Sequence, residues 1–87
     1  MDTVDFVVYI LWSEKYRKTY VGMTGNLIAR FKSHNELGKG WTKRYRPWMV
    51  IFVKPFSDKS QALKFEAYLK SGVGRTWIKE NLINKIK

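Results

Sequence analysis

The sequence contains no cysteine, which excludes disulfide staples and thiolate metal centres and permits a reducing compartment. Long hydrophobic runs are also missing: stretches such as Trp48 to Val53 fall far short of the ~20 apolar residues needed to cross a bilayer. The N-terminus opens Met1-Asp2-Thr3-Val4-Asp5, with acids and no basic region, so no secretory leader is expected and a soluble, cytoplasmic protein is the expectation. Acidic residues are scarce. Seven Asp and Glu face seventeen Lys and Arg, a net charge of +10 on 87 residues. Such an excess draws a chain to polyanions, with nucleic acid the commonest partner. The basic residues are spread over several segments without one long amphipathic helix, so a membrane partner is not expected.

What is present is enough for one domain with a modest core and too little for two. A hydrophobic fraction of 45% and an aromatic fraction of 16% belong to a folded chain. Phe6 to Trp12 is rich in β-branched and aromatic residues and predicts a buried strand. The polar turn from Ser13 to Arg17 and a short strand from Lys18 to Gly22 complete a hairpin. Asn26 or Thr24 caps a predicted helix from about Leu27 to Asn35. Glu36 to Pro47 shows no period and reads as a loop. Trp48 to Phe56 predicts a third strand, ended by Lys54-Pro55. Asp58 suits an N-cap for a helix over Ser60 to Ser71, stopped by Gly72, and a basic helix from about Gly74 to Ile86 follows. The order β-β-α-β-α-α predicts an α+β domain: a small, three-stranded, largely antiparallel sheet flanked by helices.

Several residues carry possible chemistry. Ala62, Leu63, Phe65 and Leu69 make an apolar arc on the predicted helix, and Glu66 falls near its centre. A carboxylate directed into a core is costly unless paired, protonated or bound to a cation, so an ion pair and a metal ligand are both open. Arg30 and His34, four apart, share a face beside Leu27, Ile28 and Phe31. They suit a phosphate grip, or else a surface Arg beside a packed His. Tyr9 and Tyr20 lie one on each hairpin strand, where tyrosines ordinarily pack with a wet hydroxyl. Gly22 either relieves the backbone or lets something approach closely. The loop interleaves Lys39, Lys43, Arg44 and Arg46 with Trp41, Tyr45 and Trp48, giving charge for phosphates and rings that either stack bases or join the core. Arg75, Lys79, Lys85 and Lys87 extend that surface or face solvent.

Val7-Val8-Tyr9, followed after ten residues by Tyr20-Val21-Gly22, resembles the signature of the GIY-YIG nuclease superfamily. The likeness continues through the segment bearing Arg30 and His34, through Arg44 to Trp48, and through Ser60 to Glu66. It covers about Phe6 to Leu82 and is closest to the small stand-alone bacterial endonucleases of excinuclease-like type. The first motif lacks the eponymous Gly, Met23 stands where some relatives carry Lys, and the later Asn of homing members has no counterpart between Gly72 and Thr76.

The resemblance implies a divalent-metal-dependent endonuclease acting on DNA, including structured or damaged DNA in repair or recombination. By the resemblance, Glu66 holds one Mg²⁺ or Mn²⁺ against a phosphate oxygen. Tyr9 acts as, or orients, the general base; Arg30 stabilises transition-state charge; Tyr20 and His34 position phosphate or relay a proton. Lys39, Trp41, Lys43, Arg44 and Arg46 form the nucleic-acid surface, and a protein partner could supply specificity. A catalytically inactive DNA- or RNA-binding module of the same fold is the alternative, and an unrelated basic RNA-associated protein is a third.

Overall fold

A computed structural model describes residues 6–28 and 44–86. Three antiparallel strands form one sheet in the order β2-β1-β3. They are β1 (Phe6–Ser13), β2 (Lys18–Thr24) and β3 (Met49–Phe56). The helical layer contains α1 (Lys59–Lys70) and α2 (Gly72–Ile78), which runs into a π-helical turn over Lys79–Ile83 and a last short turn over Asn84–Ile86. The domain is α+β, as expected.

The uninterrupted apolar run of β1 follows from its place in the centre of the sheet, where both faces are covered. Val8 and Ile10 face one side and pack with Val21, Ala62, Leu69 and Ile78 beneath the helices. Tyr9 and Leu11 alternate to the other side and pack with Trp48, flanked by Tyr20, Leu27, Tyr45 and Val50. At 3% exposure Trp48 belongs to the core, which decides between its two expected roles.

The hairpin closes with Ser13 opposite Lys18. Its turn is held by local chemistry: the Trp12 indole Nε1 donates to Glu14 Oε1 at 2.7 Å, and Glu14 Oε2 pairs with Arg17 Nη1 at 3.0 Å. Arg17 takes a left-handed φ of 55° and lays its guanidinium 5.0 Å from the centre of the Trp12 ring.

Three boundaries depart from the sequence reading. β2 continues to Thr24, two residues past the expected Gly22, whereas β3 ends at Phe56 as expected, with Pro55 tolerated because an edge strand does not need every N–H for the ladder. Gly72 does not stop α1 but is the first residue of α2. Ser71 makes the junction instead, its hydroxyl donating to the Tyr68 carbonyl at 2.6 Å and accepting from Gly74 N at 3.2 Å. The expected single helix over 74–86 begins earlier and widens into the π turn, where Asn81 Nδ2 donates to the Trp77 carbonyl at 3.0 Å. Asp58 caps α1 as anticipated, accepting from Ser60 N at 2.9 Å.

Candidate active site

Strand pairing places Tyr9 directly opposite Gly22, and Tyr20 two residues along β2 on the same face. A Cβ added to Gly22 would lie 2.5 Å from Tyr9 Oη, 2.7 Å from Tyr9 Cζ and 3.0 Å from Tyr20 Cε2. Gly22 is therefore the floor on which both rings meet. The Tyr9 side chain reaches across from the central strand, and its hydroxyl rests over the backbone of β2. The two ring centroids are 6.3 Å apart at 37°, and Tyr20 meets Trp48 edge-on at 6.4 Å. Tyr9 is fully buried, and among the described residues no buried side-chain nitrogen or oxygen lacks a hydrogen bond, so its hydroxyl is engaged.

Glu66 lies on α1, between buried Ala62 and Leu69. The buried arc runs from Phe65 through Leu69 to Ala62, and Glu66 flanks it at about 40° beyond Ala62. Its side chain is 19% exposed and its Oε2 stands 3.2 Å from Lys70 Nζ, one turn along. The expected position at the centre of the arc is thereby corrected. Leu63, expected within that arc, is 44% exposed because it lies on the far side of Glu66. Among the described residues no group of three His, Cys, Asp or Glu side chains gathers to hold a metal.

The helices cover the face of the sheet opposite the tyrosine pair, but β2 is an edge strand, so its margin is shared. There a cleft of about 290 Å³ is lined by Thr19, Tyr20 and Val21 from β2, Leu69 and Lys70 from α1, and Arg75 and Ile78 from α2. Tyr20 thus belongs both to the pair over Gly22 and to a cleft containing two cations, one of them the partner of Glu66. This cleft can take a phosphate group: two cationic side chains, Lys70 and Arg75, line it beside the β2 edge at Tyr20.

The structure therefore gathers Tyr9, Tyr20 and Gly22, and links Glu66 to the Tyr20 cleft through Lys70. Arg30 and His34, with Lys39, Trp41 and Lys43 of the expected nucleic-acid surface, lie outside the described residues. Arg44 is exposed and Arg46 half-buried, close in sequence to Tyr45 and Trp48. Lys70 joins the cleft without standing among the expected residues, and Arg75, expected either to extend the basic surface or to face solvent, lines it. The spacing of Glu66 and Lys70 on one helix is a legible signal. Nothing in the sequence places Arg75, which arrives through the α1–α2 junction.

This sheet, with its paired strand tyrosines and a carboxylate on the covering helix, defines a GIY-YIG-type domain. The family model for the GIY-YIG catalytic domain matches residues 5–81, and the chain belongs to that family. It is 39% identical over 72 residues to the UPF0213 protein YazA of Bacillus subtilis, covering 80% of this chain and 71% of that protein. It is 47% identical over 58 residues to a structure-specific endonuclease subunit SLX1 homolog of Giardia intestinalis, covering 62% of this chain. A structure-specific endonuclease subunit SLX1 of Yarrowia lipolytica is 45% identical over 71 residues, covering 72% of this chain. The chain spans 16% of the Giardia protein and 25% of the Yarrowia protein.

Proposed function

We propose that this domain is a divalent-metal-dependent endonuclease that hydrolyses phosphodiester bonds in DNA, with branched or otherwise structured DNA as its substrate class. The observation that carries the reading is the convergence of Tyr9 and Tyr20 over Gly22, within a chain that matches the GIY-YIG catalytic domain over residues 5–81. The names of the SLX1 relatives support the choice of structured DNA.

Phosphoryl transfer asks a protein mainly for positioning and for stabilisation of charge. Tyr20 and the cleft cations Lys70 and Arg75 hold the phosphate. By the family resemblance Tyr9 orients the attacking water and guides its proton away, with Gly22 fixing where its ring stands. Arg30 and His34 complete the set by the family resemblance. Water adds to phosphorus as one phosphoester bond breaks, leaving a phosphate monoester and an alcohol that takes up a proton.

Glu66 fits a hard, hydrated cation: it offers one carboxylate on a side chain that is 19% exposed, and its partner Lys70 is 54% exposed. A lone carboxylate suits Mg²⁺ or Mn²⁺, which keeps waters and shares phosphate oxygens, and does not suit a closed protein cage. When bound, the ion supplies charge neutralisation at a phosphate oxygen.

The test uses labelled duplex, flap and branched DNA with Mg²⁺ or EDTA. Cleavage is expected with metal and not with EDTA, falling on the order of 100-fold or more in Glu66→Ala, as for loss of a major electrostatic contact. Equal cleavage by Glu66→Ala would remove Glu66 from the mechanism. Tight, salt-sensitive binding with no metal-dependent cutting would install the binding-module reading, which the Glu66–Lys70 ion pair favours.

A further inference from the structure

The face that carries Tyr9 and Tyr20 does not end at Tyr20. Along β2, Lys18, Tyr20 and Gly22 alternate on one side, so Lys18 stands about 14 Å from Gly22 at the usual strand rise. Beyond Lys18 the hairpin turn presents Tyr16, 41% exposed, whose ring meets Tyr45 edge-on at 5.5 Å and 76°. Tyr45 is itself half-buried against the cluster of Tyr9, Leu11 and Trp48. Lysine ammonium groups border both rings: Lys15 Nζ lies 5.3 Å from the Tyr16 centroid and Lys18 Nζ 5.7 Å from that of Tyr45. Exposed Arg44 precedes Tyr45 directly.

A solvent-exposed ring at a hairpin tip is ordinarily mobile. Tyr16 is held by contacts of different kinds: its N–H donates to Ser13 Oγ at 3.4 Å, its ring abuts Tyr45, and the turn is closed by the Trp12–Glu14–Arg17 interactions. An aromatic face fixed in place and bordered by cations has the makeup of a platform for an unpaired base, with the ammonium groups placed for the phosphates on either side. Paired bases bury their faces in the stack and cannot use it.

We propose that Tyr16 and Tyr45, with Lys15 and Lys18, form a subsite that stacks an unpaired base of a nucleic-acid strand a few nucleotides from the phosphate held at Tyr20. The location of that phosphate rests on the proposed function; the stacking site itself does not. On this inference the substrate is a nucleic acid with a single-stranded segment beside the bond that is cut. Lys15 covers the Tyr16 ring until the base takes its place, and then turns to the phosphate.

The experiment measures fluorescence anisotropy of the whole chain with labelled single strands, blunt duplexes and duplexes bearing a single-stranded overhang, all in EDTA so that no cutting occurs. Base–aromatic stacking predicts that Tyr16→Ala weakens single-strand and overhang binding by roughly 5- to 100-fold, leaves blunt-duplex binding unchanged, and that Tyr16→Phe binds as the unaltered chain does. Tyr16→Leu keeps apolar cover of Tyr45 without an aromatic face, and should bind like the Ala variant. The inference is overturned if Tyr16→Leu binds like the unaltered chain, or if single-strand and blunt-duplex affinities fall together. Metal-dependent cleavage with no Tyr16 effect would sink this site alone, and Tyr16-dependent binding without cleavage would sink the nuclease reading alone.

Discussion

Replacing Gly22 with Ala tests the geometry of the tyrosine pair with a single methyl group. The new Cβ would meet Tyr9 Oη at 2.5 Å and Cζ at 2.7 Å, both well inside van der Waals contact. Gly22 does not occupy a left-handed φ, so the backbone accepts Ala, and reduced freedom of the unfolded chain favours it by about 0.4–1 kcal/mol. Against this, Tyr9 is fully buried beside Leu11 and Trp48 and has little room to retreat. Overpacking costs about 1–3 kcal/mol, and two overlaps below 3 Å place this case in the upper half of that range, about 2–3 kcal/mol, so a net destabilisation of about 1–2.5 kcal/mol is expected. For a domain of this size that lowers Tm by roughly 4–20 °C. On the proposed function, the displaced ring should also lose its orientation toward the attacking water, where a shift of about 1 Å costs about 100-fold in rate. Circular-dichroism melts and single-turnover cleavage would measure the two effects. Tyr9→Phe removes the nearer contact and leaves the Cζ contact, so adding Gly22→Ala to it should cost less stability than adding it to the unaltered chain. A Gly22→Ala protein with unchanged melting and cleavage would refute the placement of Tyr9.

The remaining predictions concern the helical layer. Gly74→Ala should be severely destabilising, because its Cβ would overlap the Tyr68 carbonyl and the Leu69 backbone, whereas Gly72→Ala meets nothing within 4 Å and should stabilise the first turn of α2 by about 0.5–1 kcal/mol. Urea denaturation of the two variants side by side reads the difference, and equal effects would contradict the α1–α2 junction. Asp58→Ala removes the cap on Ser60 N and should cost about 1 kcal/mol, with Asp58→Asn close to neutral in the same assay.

Particular residues show how far the sequence reached. The run from Phe6 to Trp12 identified the central strand because its continuous apolarity suits a strand covered on both faces. The polar turn located the hairpin, and Asp58 located the start of α1. The end of the third strand at Phe56 was legible even with Pro55 inside it, but that β3 lies at an edge, where a proline sits unharmed, is a property of the sheet. Gly72 misled because the serine before it supplies the cap, a choice made by hydroxyl geometry that composition does not reveal.

The two motif tyrosines, the helix carrying Glu66 and the polyanion-seeking charge were all determined by the sequence, since alternation, helical period and net charge are properties of the linear chain. The tertiary structure decided what those residues meet. Strand register put Gly22 under both rings, and helix phase moved Glu66 from the centre of the apolar arc to its flank beside Lys70. The open edge of β2 let Arg75 share a cleft with Tyr20. Contacts between residues far apart in the chain depend on register and packing, and a one-residue slip in β2 would have turned Tyr20 and Gly22 to the opposite face.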